Sequence, residues 1–439
     1  MEIDQTTLRE LSILPGADDF SLMDHIDCCI TTGGKERLYE IILKPLNGID
    51  AIIAMQQTLR SLSDHAAVWP SSTSNGTILV IGKYYSTTID PIPENPQSGG
   101  VLAYRWLHRA DHSFLKYSTE HALDFLKDMQ GLVELHRNKI APEPLQRNIT
   151  EIEALLNEPE LAVVHDRKSF ASLSPKNLLR LAHFLRYRYK QKMQRLLYLF
   201  FELDAWRSMA LASIKNGWVF PEFRPDNAPL LEAQELRHPL LAAAVSYDIG
   251  MNPEKNFLFL TGANMAGKST FIRAVGLAVF LAHCGMGVPA QSMKLSCFDG
   301  LLSNISNADN IRKGESYFLS EVLRIKSALQ KINDGRSWML LADEMFKGTN
   351  VQDAMKCSLA VINGLVRLRR SAFIVSTHLY EIAESLRTHT NIRFSYFETG
   401  SAGGKLHFSY RLREGVSNDR FGYLILENEG VVDLLDHLR

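Results

Sequence analysis

The sequence predicts two domains: a mainly α-helical domain over residues 1–225 and an α/β domain over residues 226–439. Three observations support this division. Apolar residues recur at helical spacing through the first half of the chain, and short apolar runs alternate with helical stretches in the second half. Between them Pro221, Pro225 and Pro229 fall close together, as in a linker. The 439 residues are enough for two or three domains.

The composition is typical of a protein with a sizeable core. Hydrophobic residues make up 46% of the chain and charged residues 22%, which excludes general disorder. A net charge of −1 neither indicates nor excludes nucleic acid, because it is compatible with a local basic patch. The 5 cysteines have no regular spacing, which favours reduced thiols over disulfides or a zinc site. No signal peptide is recognisable, and the most apolar stretch, residues 274–288, is too short to span a bilayer, so we expect a cytoplasmic protein.

The first half contains several predicted helices. Residues 33–62 indicate two helices that break between positions 45 and 48, and another helix is predicted over about 118–135. The longest is predicted over about 177–215 and would exceed roughly 50 Å, a length typical of a lever or strut. Residues 73–100 mix β-branched residues with proline, glycine and asparagine, which predicts a short strand or two and an exposed loop.

The second half is predicted to form a parallel sheet covered by helices. The runs FLFLT (257–261), WMLLA (338–342) and AFIVST (372–377) are short, apolar and bounded by turn residues. Each run is typical of a buried parallel strand. Because helical stretches separate the runs, the order of elements is that of an α/β domain.

A glycine-rich motif follows the first of these strands directly. Its residues are Gly262, Ala263, Asn264, Met265, Ala266, Gly267, Lys268 and Ser269, which match the P-loop pattern G-x-x-x-x-G-K-S between a strand and a helix. In this pattern the glycines let backbone N–H groups turn toward the β-phosphate, Lys268 reaches the β- and γ-phosphates, and Ser269 can bind Mg²⁺. The domain is therefore predicted to be a P-loop NTPase that uses ATP and Mg²⁺.

Two further strands end in polar residues that suit phosphate chemistry. The second strand ends in Asp343 and Glu344, which match a Walker B motif. Asp343 would hold Mg²⁺ through its water shell, and Glu344 would polarise the attacking water. The third strand ends in Ser376-Thr377-His378, where a polar group could sense the γ-phosphate. The alternative for Thr377 is that it caps a helix.

A fourth motif lies at residues 308–318, where a turn containing Gly314 and Ser316 opens a predicted amphipathic helix. The free N–H groups and the positive end of a helix dipole at such a turn can bind an anion. An ordinary capped helix is the alternative.

Taken together, these segments resemble the MutS family of mismatch-repair ATPases. The resemblance is carried by LTGANMAGKSTFIRAVG, LLADEMFKGTN, VSTHLYEIAE and YRLREGVSNDRFGYLILENEGV, by ELRHP ahead of the P-loop, and by the stretch from CGMGVPA to KGESYFLSEV. It is dense over residues 230–439 and weaker over 25–62 and 176–222, which look like the start and end of the family's helical lever domain. It implies an ABC-like ATPase domain preceded by a lever domain whose DNA clamp is reduced or absent.

The resemblance also implies roles for individual residues. The catalytic residues would be Lys268, Glu344 and the switch His378, and Ser269 and Asp343 would hold the metal. The residues expected to contact the nucleotide are Gly262, Ala263, Asn264, Met265, Ala266, Gly267, Lys268, Ser269 and Thr270. Gly314 and Ser316 would belong to a signature loop that reaches the γ-phosphate bound to a second subunit, which implies a homodimer.

The sequence also departs from the family. Lys347 stands where the family has arginine, which would weaken a bidentate contact across subunits because lysine lacks the planar fork. The chain is far shorter than a mismatch-reading member and is expected to lack the mismatch-binding and connector domains. Residues 200–202 and 220–222 share the Phe-x-Glu spelling of the mismatch-stacking motif, and we interpret both as chance matches.

A basic stretch from residue 176 to 195 contains no acid and includes two tyrosines. Its candidate DNA contacts are Arg186, Arg188, Lys190 and Lys192. The alternative is a solvated helix face that is balanced by acids elsewhere in the chain.

Two functions stay open at this point. One is an ATPase that acts on DNA structure, in repair or recombination, without reading a mispaired base. The other is an ATP-driven conformational module for a repair or other protein partner, or for RNA, without intrinsic DNA affinity. A transporter ATPase is disfavoured, because the signature segment lacks the Ser-Gly-Gly of that class.

Overall fold

The computed structural model describes residues 1–15, 20–64, 69–70, 72–137, 140–165, 173–225, 228–305, 317–402, 405–417 and 430–437. The chain divides into two units. The α/β unit comprises Met1–Ile26, Lys44–Ile53 and Lys215–Arg439, and the helical unit comprises Asp27–Leu43 and Ala54–Ile214.

The elements are numbered in chain order. The α-helices of the described residues are α1 (Gln5–Glu10), α2 (Leu22–Ile26), α3 (Thr32–Ile42), α4 (Ile49–Ser63), α5 (Asn75–Ser86), α6 (Ser98–Leu107), α7 (Arg109–His136), α8 (Glu143–Leu156), α9 (Ala162–His165), α10 (Pro175–His183), α11 (Lys190–Lys215), α12 (Lys268–His283), α13 (Tyr317–Ile332), α14 (Val351–Leu365), α15 (Ile382–Leu386) and α16 (Val431–Asp436). The strands of the same residues are β1 (Glu2–Ile3), β2 (Glu222–Arg224), β3 (Leu231–Leu236), β4 (Tyr247–Met251), β5 (Phe257–Thr261), β6 (Ser292–Ser296), β7 (Gly300–Asn304), β8 (Trp338–Asp343), β9 (Ala372–Ser376), β10 (Ile392–Ala402) and β11 (Lys405–Glu414).

In the helical unit, α7 packs against α5, α8 and α10. Helices α3 and α4 confirm the predicted break between positions 45 and 48, and α7 contains the predicted helix at 118–135. Of the helices in the described ranges, none combines the length and apolar character that a bilayer crossing requires.

The strand predicted within residues 73–100 is wrong, because α5 and the start of α6 occupy this segment. A capping box begins α5: Ser74 Oγ accepts from the Thr77 amide, and Thr77 Oγ1 accepts from the Ser74 amide. Ile81 and Tyr84, three residues apart, are buried on one face of α5. Burial of this face outweighs the β-propensity of the branched residues.

The long helix predicted over 177–215 is present but contains a π-helical segment. Helix α10 leads into this segment at Phe184–Arg188, and α11 follows it. The Tyr189 amide donates to the Phe184 carbonyl at 3.0 Å, an i to i+5 bond. The Tyr189 hydroxyl donates to the carbonyl of Leu155 at 2.7 Å and so ties this point to α8.

The main sheet of the α/β unit has the strand order β1-β7-β8-β9-β5-β10-β11 among the described residues. All neighbouring pairs are parallel except β10 and β11. Strands β5, β8 and β9 confirm the three predicted strands, and every residue in them is buried. A second sheet has the order β2-β6-β3-β4.

Helices cover both faces of the main sheet. Leu340 of β8 packs in a core cluster that also contains Ile325 of α13 and Ile362 of α14. Its neighbour Leu341 faces α12, where a Cβ on Gly276 would lie 2.7 Å from the Leu341 side chain. The sheet is therefore buried on both sides, as the uninterrupted apolar runs predict.

The first 26 residues belong to the α/β unit, although the sequence placed them in the helical domain. Strand β1 pairs in parallel with β7, with Glu2 opposite Gly300. Two side chains of α1 contact β7 and the residue that follows it. The Glu10 carboxylate accepts from Ser303 Oγ and from the Ile305 amide, the second bond at 3.0 Å. The Thr7 hydroxyl accepts from the Ser303 amide at 2.9 Å. A two-residue strand carries no periodicity, so only its distant partner reveals where it belongs.

Candidate functional site

The glycine-rich loop leaves β5 at Thr261 and enters α12 at Lys268. Gly262 and Gly267 have φ values of +142° and +103°, which residues other than glycine rarely adopt. A Cβ on Gly262 would also lie 3.3 Å from the Phe397 backbone nitrogen. Glycine is therefore required at both ends of the loop.

Lys268 is the first residue of α12, and only 4% of its surface is exposed. Its ammonium donates to the carbonyls of Gly262 at 2.8 Å and Ala263 at 3.0 Å, and lies 3.5 Å from Glu344 Oε1. Burial lowers the pKa of Lys268, while the charges of Glu344 and Asp343 act in the opposite direction.

Asp343, at the end of β8, accepts hydrogen bonds from two hydroxyls. Ser269 Oγ of α12 donates to one carboxylate oxygen, and Ser376 Oγ of β9 donates to the other. The Asp343 side chain is buried and forms no ion pair with a lysine or arginine in the described part of the chain. A hydroxyl and a carboxylate together are the hard oxygen ligands that Mg²⁺ prefers.

Glu344 adopts φ +52°, and its amide donates to the Ser376 carbonyl at 2.9 Å. Lys347 Nζ lies 2.9 Å from Glu344 Oε2, opposite the oxygen that faces Lys268. Burial alone would raise the pKa of Glu344, but Lys347 and Lys268 together lower it. The carboxylate is therefore ionised at neutral pH.

These groups line one cavity of about 600 Å³. Of the residues predicted from sequence, the lining includes Asn264, Met265, Gly267, Lys268, Ser269, Thr270, Asp343 and Glu344. Gly262 and Ala263 contribute carbonyls to Lys268 instead, and Ala266 is buried.

His378 is exposed and does not line this cavity, although it lies close enough to Glu344 to help lower the pKa of that carboxyl. The alternative role of Thr377 as a helix cap is wrong. Its hydroxyl accepts from the Leu379 amide at 3.0 Å, and α15 begins only at Ile382. Gly314 and Ser316 lie outside the described residues.

Several lining residues were assigned no role in this cavity from the sequence. Tyr247 of β4 and Tyr410 of β11 flank Gly267, within 3.6 Å and 3.2 Å of the position that a Cβ would take. Burial, with a contribution from Tyr410, raises the pKa of Tyr247. His238 also lines the cavity, and burial together with Arg273 lowers its pKa to about 4. Tyr247 lies outside the quoted motifs, whereas His238 lies in ELRHP and Tyr410 begins YRLREGVSNDRFGYLILENEGV. Neither motif by itself indicates a place in this cavity, since segments distant in sequence form it.

Glu321 of α13 is a further residue whose role the sequence did not reveal. It is buried, and its two carboxylate oxygens accept from the amides of Lys347 at 3.2 Å and Gly348 at 3.1 Å. It therefore fixes the turn that presents Lys347 to Glu344. A glutamate within an amphipathic helix gives no hint of this role.

The predicted DNA contacts of the helical unit have partners within that unit. Arg186 donates to the carbonyls of Tyr84 and Thr87, Arg188 pairs with Glu94, and Lys192 pairs with Glu158. Lys190 lies over the ring of Tyr85, with its Nζ 6.0 Å from the centroid. These contacts favour the alternative interpretation, in which the basic stretch is a solvated helix face whose positive charges are balanced by acids elsewhere in the chain.

Comparison with known proteins agrees with the geometry of the cavity. Residues 258–433 match the protein family described as MutS domain V. This region of the chain is a MutS-type domain. The matched region is that family's P-loop ATPase domain. It contains the P-loop, both strands that end in polar residues, and β10 and β11.

Curated relatives carry the name DNA mismatch repair protein MutS. The one from Geobacillus sp. (strain WCH70) is 29% identical over 245 residues, which cover 54% of this chain and 28% of that protein. The one from Persephonella marina is 28% identical over 233 residues, or 52% and 26% of the two chains. The one from Halalkalibacterium halodurans is 27% identical over 286 residues, or 64% and 32%. The matched region thus spans about a quarter to a third of these relatives.

Proposed function

We propose that this chain is a Mg²⁺-dependent ATPase whose site is the cavity around Lys268. The observation that carries the proposal is that the buried Lys268 and Asp343 and the partly buried Glu344 line one cavity beside a glycine-rich loop. Buried charges are costly and cluster where chemistry needs them. The cavity volume of about 600 Å³ is in the range that small-molecule sites occupy.

Lys268 binds the β- and γ-phosphates. Its ammonium already lies among oxygen acceptors, the carbonyls of Gly262 and Ala263, and exchanges them for phosphate oxygens. The free N–H groups at the start of α12 and its dipole favour the same anion. Tyr247 and Tyr410, beside Gly267, offer aromatic surface for the base.

Ser269 and Asp343 hold Mg²⁺, with the Ser376 hydroxyl orienting the Asp343 carboxylate. When bound, Mg²⁺ neutralises charge that develops on the β- and γ-phosphate oxygens. Asp343 supplies the oxygen ligand without a competing lysine or arginine in the described residues.

Glu344 orients and polarises the attacking water. Its backbone is fixed by the Ser376 carbonyl, and its carboxylate stays ionised between Lys268 and Lys347. A carboxylate with a lowered pKa is a weak base, so its contribution lies in positioning the water and accepting a hydrogen bond from it. His378, at the end of the neighbouring strand, would sense the γ-phosphate.

The test of ATPase activity is steady-state hydrolysis by the full chain and by Lys268→Ala. We expect the variant to lose at least about 100-fold in rate, because it loses charge-assisted contacts to two phosphates. Lys294→Ala is the matched control, since Lys294 is a half-exposed lysine of the same unit. A Lys268→Ala protein that hydrolyses ATP at the wild-type rate would refute the assignment.

The site is completed by a second subunit in this proposal, as the resemblance to the family implies. Gly314 and Ser316 of one copy would contact the γ-phosphate held by Lys268 of the other. Mixing Lys268→Ala with Ser316→Ala should then restore activity, because a mixed dimer keeps one intact site. No recovery with mixed dimers confirmed to form would mean that Ser316 serves its own subunit.

ATP turnover is proposed to act on DNA, in repair or recombination, with the helical unit as a lever. The relatives named as DNA mismatch repair proteins support this.

A second candidate, an ATP-driven module for a protein partner, is favoured by the internal pairing of Arg188 and Lys192 and by Trp106 of α6, which is 84% exposed. A gel-shift panel of duplex, branched and single-stranded DNA at about 50 mM salt, with and without ATP, separates the two. Absence of binding to every DNA would favour the protein partner.

A further inference from the structure

Three side chains that can bind metal converge in the helical unit, outside the ATPase site. Asp90 lies in the segment between α5 and α6, His108 joins α6 to α7, and Asp111 lies in the first turn of α7. One ligand atom from each lies within 4.8 Å of the others. The cluster thus combines two carboxylates and an imidazole from two separate parts of the unit.

Neighbouring groups hold the three side chains in place. His108 Nδ1 lies 2.5 Å from Asp90 Oδ2, and the Asp90 amide donates to Asp111 Oδ2 at 3.0 Å. The Tyr104 ring packs on the His108 imidazole with centroids 5.0 Å apart, and its hydroxyl donates to the Asp90 carbonyl at 3.5 Å. Outer contacts of this kind orient the ligands of metal sites.

The charge of the cluster is not balanced by a permanent cation. In the described part of the chain, neither Asp90 nor Asp111 forms an ion pair with a lysine or arginine, and Asp90 has only the imidazole of His108 as an ionisable partner. Arg105 and Arg109 are neighbours in sequence, but their guanidinium groups form no such pair. With a neutral imidazole the cluster carries two negative charges, which matches one divalent cation.

We propose that Asp90, His108 and Asp111 form a site for a divalent transition-metal ion such as Zn²⁺ or Mn²⁺. Imidazole suits Zn²⁺, and carboxylates suit Mn²⁺ and are accepted by Zn²⁺, so this donor set distinguishes the site from the all-oxygen ligands Ser269 and Asp343. Three protein ligands leave further positions for water.

The ion would connect the segment between α5 and α6 to the junction of α6 and α7. This segment contains three prolines, and its other contacts include the Ile92 amide donating to the Tyr187 hydroxyl at 3.4 Å and the pair Arg188–Glu94. A metal bond would add to these weak contacts and hold the segment in a single position. The consequence is local ordering of the helical unit that depends on the metal and not on ATP.

The primary experiment is calorimetric titration of the nucleotide-free full chain with Zn²⁺. We expect one binding event that is absent in His108→Ala and in Asp111→Asn. The matched controls His121→Ala and Asp124→Asn remove the same chemical groups from α7 away from the cluster and should keep that event. If His108→Ala and Asp111→Asn bind Zn²⁺ as the wild type does, or if the wild type binds none, the proposal is overturned.

Hydrogen exchange locates the ion independently of affinity. Zn²⁺ should slow exchange in residues 88–97 of the wild type and of His121→Ala, but not of Asp111→Asn. A hundredfold excess over the dissociation constant should also raise the melting temperature by on the order of 5 °C. Circular dichroism checks that each variant is folded, and Asp90→Asn replaces any variant that is not. Protection confined to other regions would contradict the site.

Discussion

The cavity around Lys268 and the basic stretch of the helical unit both concentrate charge, and the sequence marked both as candidates for phosphate contacts. In the cavity, Lys268 is 4% exposed and lies 3.5 Å from the partly buried Glu344, and Asp343 is buried nearby. In the basic stretch, the side chain of Arg188 is 58% exposed and that of Arg195 is 45% exposed, and both pair with glutamates of their own unit. The two regions therefore differ in the cost of their charges and in what balances them.

This difference indicates which patterns of charged residues mark a functional site. Surface pairs contribute about 0–1 kcal/mol and form wherever opposite charges meet, so their presence requires no function. Buried charges cost several kcal/mol unless they are paired and hydrogen-bonded. A cluster of them beside a glycine-rich loop therefore indicates a binding or catalytic site.

The largest effect is expected at Asp343. Asp343→Ala should lower ATP hydrolysis by at least about 100-fold, because the metal ligand is lost. It should change the free energy of unfolding by less than about 1 kcal/mol, because Asp343 forms no ion pair in the described residues and removal of this buried charge offsets the acceptor that two serine hydroxyls lose. Turnover assays and urea unfolding check both numbers. A loss of stability as severe as the loss of activity would make Asp343 a structural residue.

Asp204 offers the opposite case in the helical unit. It is fully buried and accepts from the Ile30 amide at 3.0 Å, the Thr31 amide at 2.9 Å and the Thr31 hydroxyl at 2.8 Å. Asp204→Ala should lower the free energy of unfolding by about 3 kcal/mol, because it leaves these donors without an acceptor. Asp204→Asn, which keeps one acceptor oxygen, should cost less.

Urea unfolding of both variants measures this, with ATP hydrolysis per folded molecule as the second readout. We expect hydrolysis to stay at the wild-type level. If Asp204→Ala is as stable as the wild type, acceptance from backbone amides does not distinguish a structural carboxylate from a catalytic one in this chain.

A pH-dependent effect is expected at Asp4 in the α/β unit. Burial alone would raise the pKa of Asp4, but hydrogen bonds from Arg324 and Thr7 lower it from 3.8 to about 2. A carboxyl with a depressed pKa stabilises the fold above its unfolded pKa, and that stability is lost as the pH falls through the folded pKa. The contribution is about 2 kcal/mol at pH 7 and roughly half of that at pH 3.

The measurement is the stability difference between the wild type and Asp4→Asn at pH 7 and at pH 3. The difference should shrink at the lower pH. A difference that is independent of pH would mean that the Asp4 contacts do not depend on its charge.

The smallest effect is expected in the basic stretch. Arg195 donates to both oxygens of Glu151 at 2.6 and 2.8 Å and lowers the pKa of that carboxyl. A double-mutant cycle with Arg195→Ala and Glu151→Ala should give a coupling of about 0.2–1 kcal/mol in unfolding free energy. If the cycle shows no coupling and Arg195→Ala alone weakens DNA binding, the result would support phosphate binding by this stretch.

The sequence predicted the elements that depend on local spacing. Residues close together in the chain predict the P-loop, the strand ends at Asp343 and Ser376, and helices α3, α4 and α7. The prediction for the segment at α5 failed because its β-branched residues outweighed the helix-capping residues Ser74 and Thr77. Burial at Ile81 and Tyr84 settled the choice, and burial depends on packing that the sequence does not display.

Other features depend on residues that are far apart in the chain. Strand β1 is recognisable only next to β7, and Tyr410 reaches Gly267 only because β10 and β11 extend the sheet that holds the P-loop. The glutamates that pair with the basic stretch, such as Glu94 and Glu158, lie 94 and 34 residues away from their partners. Composition within a window cannot reveal such compensation, so the DNA contacts of this stretch stay a prediction.

The most direct test of this account is Glu344→Gln in parallel assays of ATP binding and single-turnover hydrolysis. We expect ATP binding within about threefold of the wild type, because Lys268 and the loop are unchanged. We expect hydrolysis to fall by at least about 100-fold, because no carboxylate remains to orient the attacking water. Glu384→Gln, an exposed glutamate on α15, is the matched control and should match the wild type in both assays. Hydrolysis by Glu344→Gln at the wild-type rate would contradict the account.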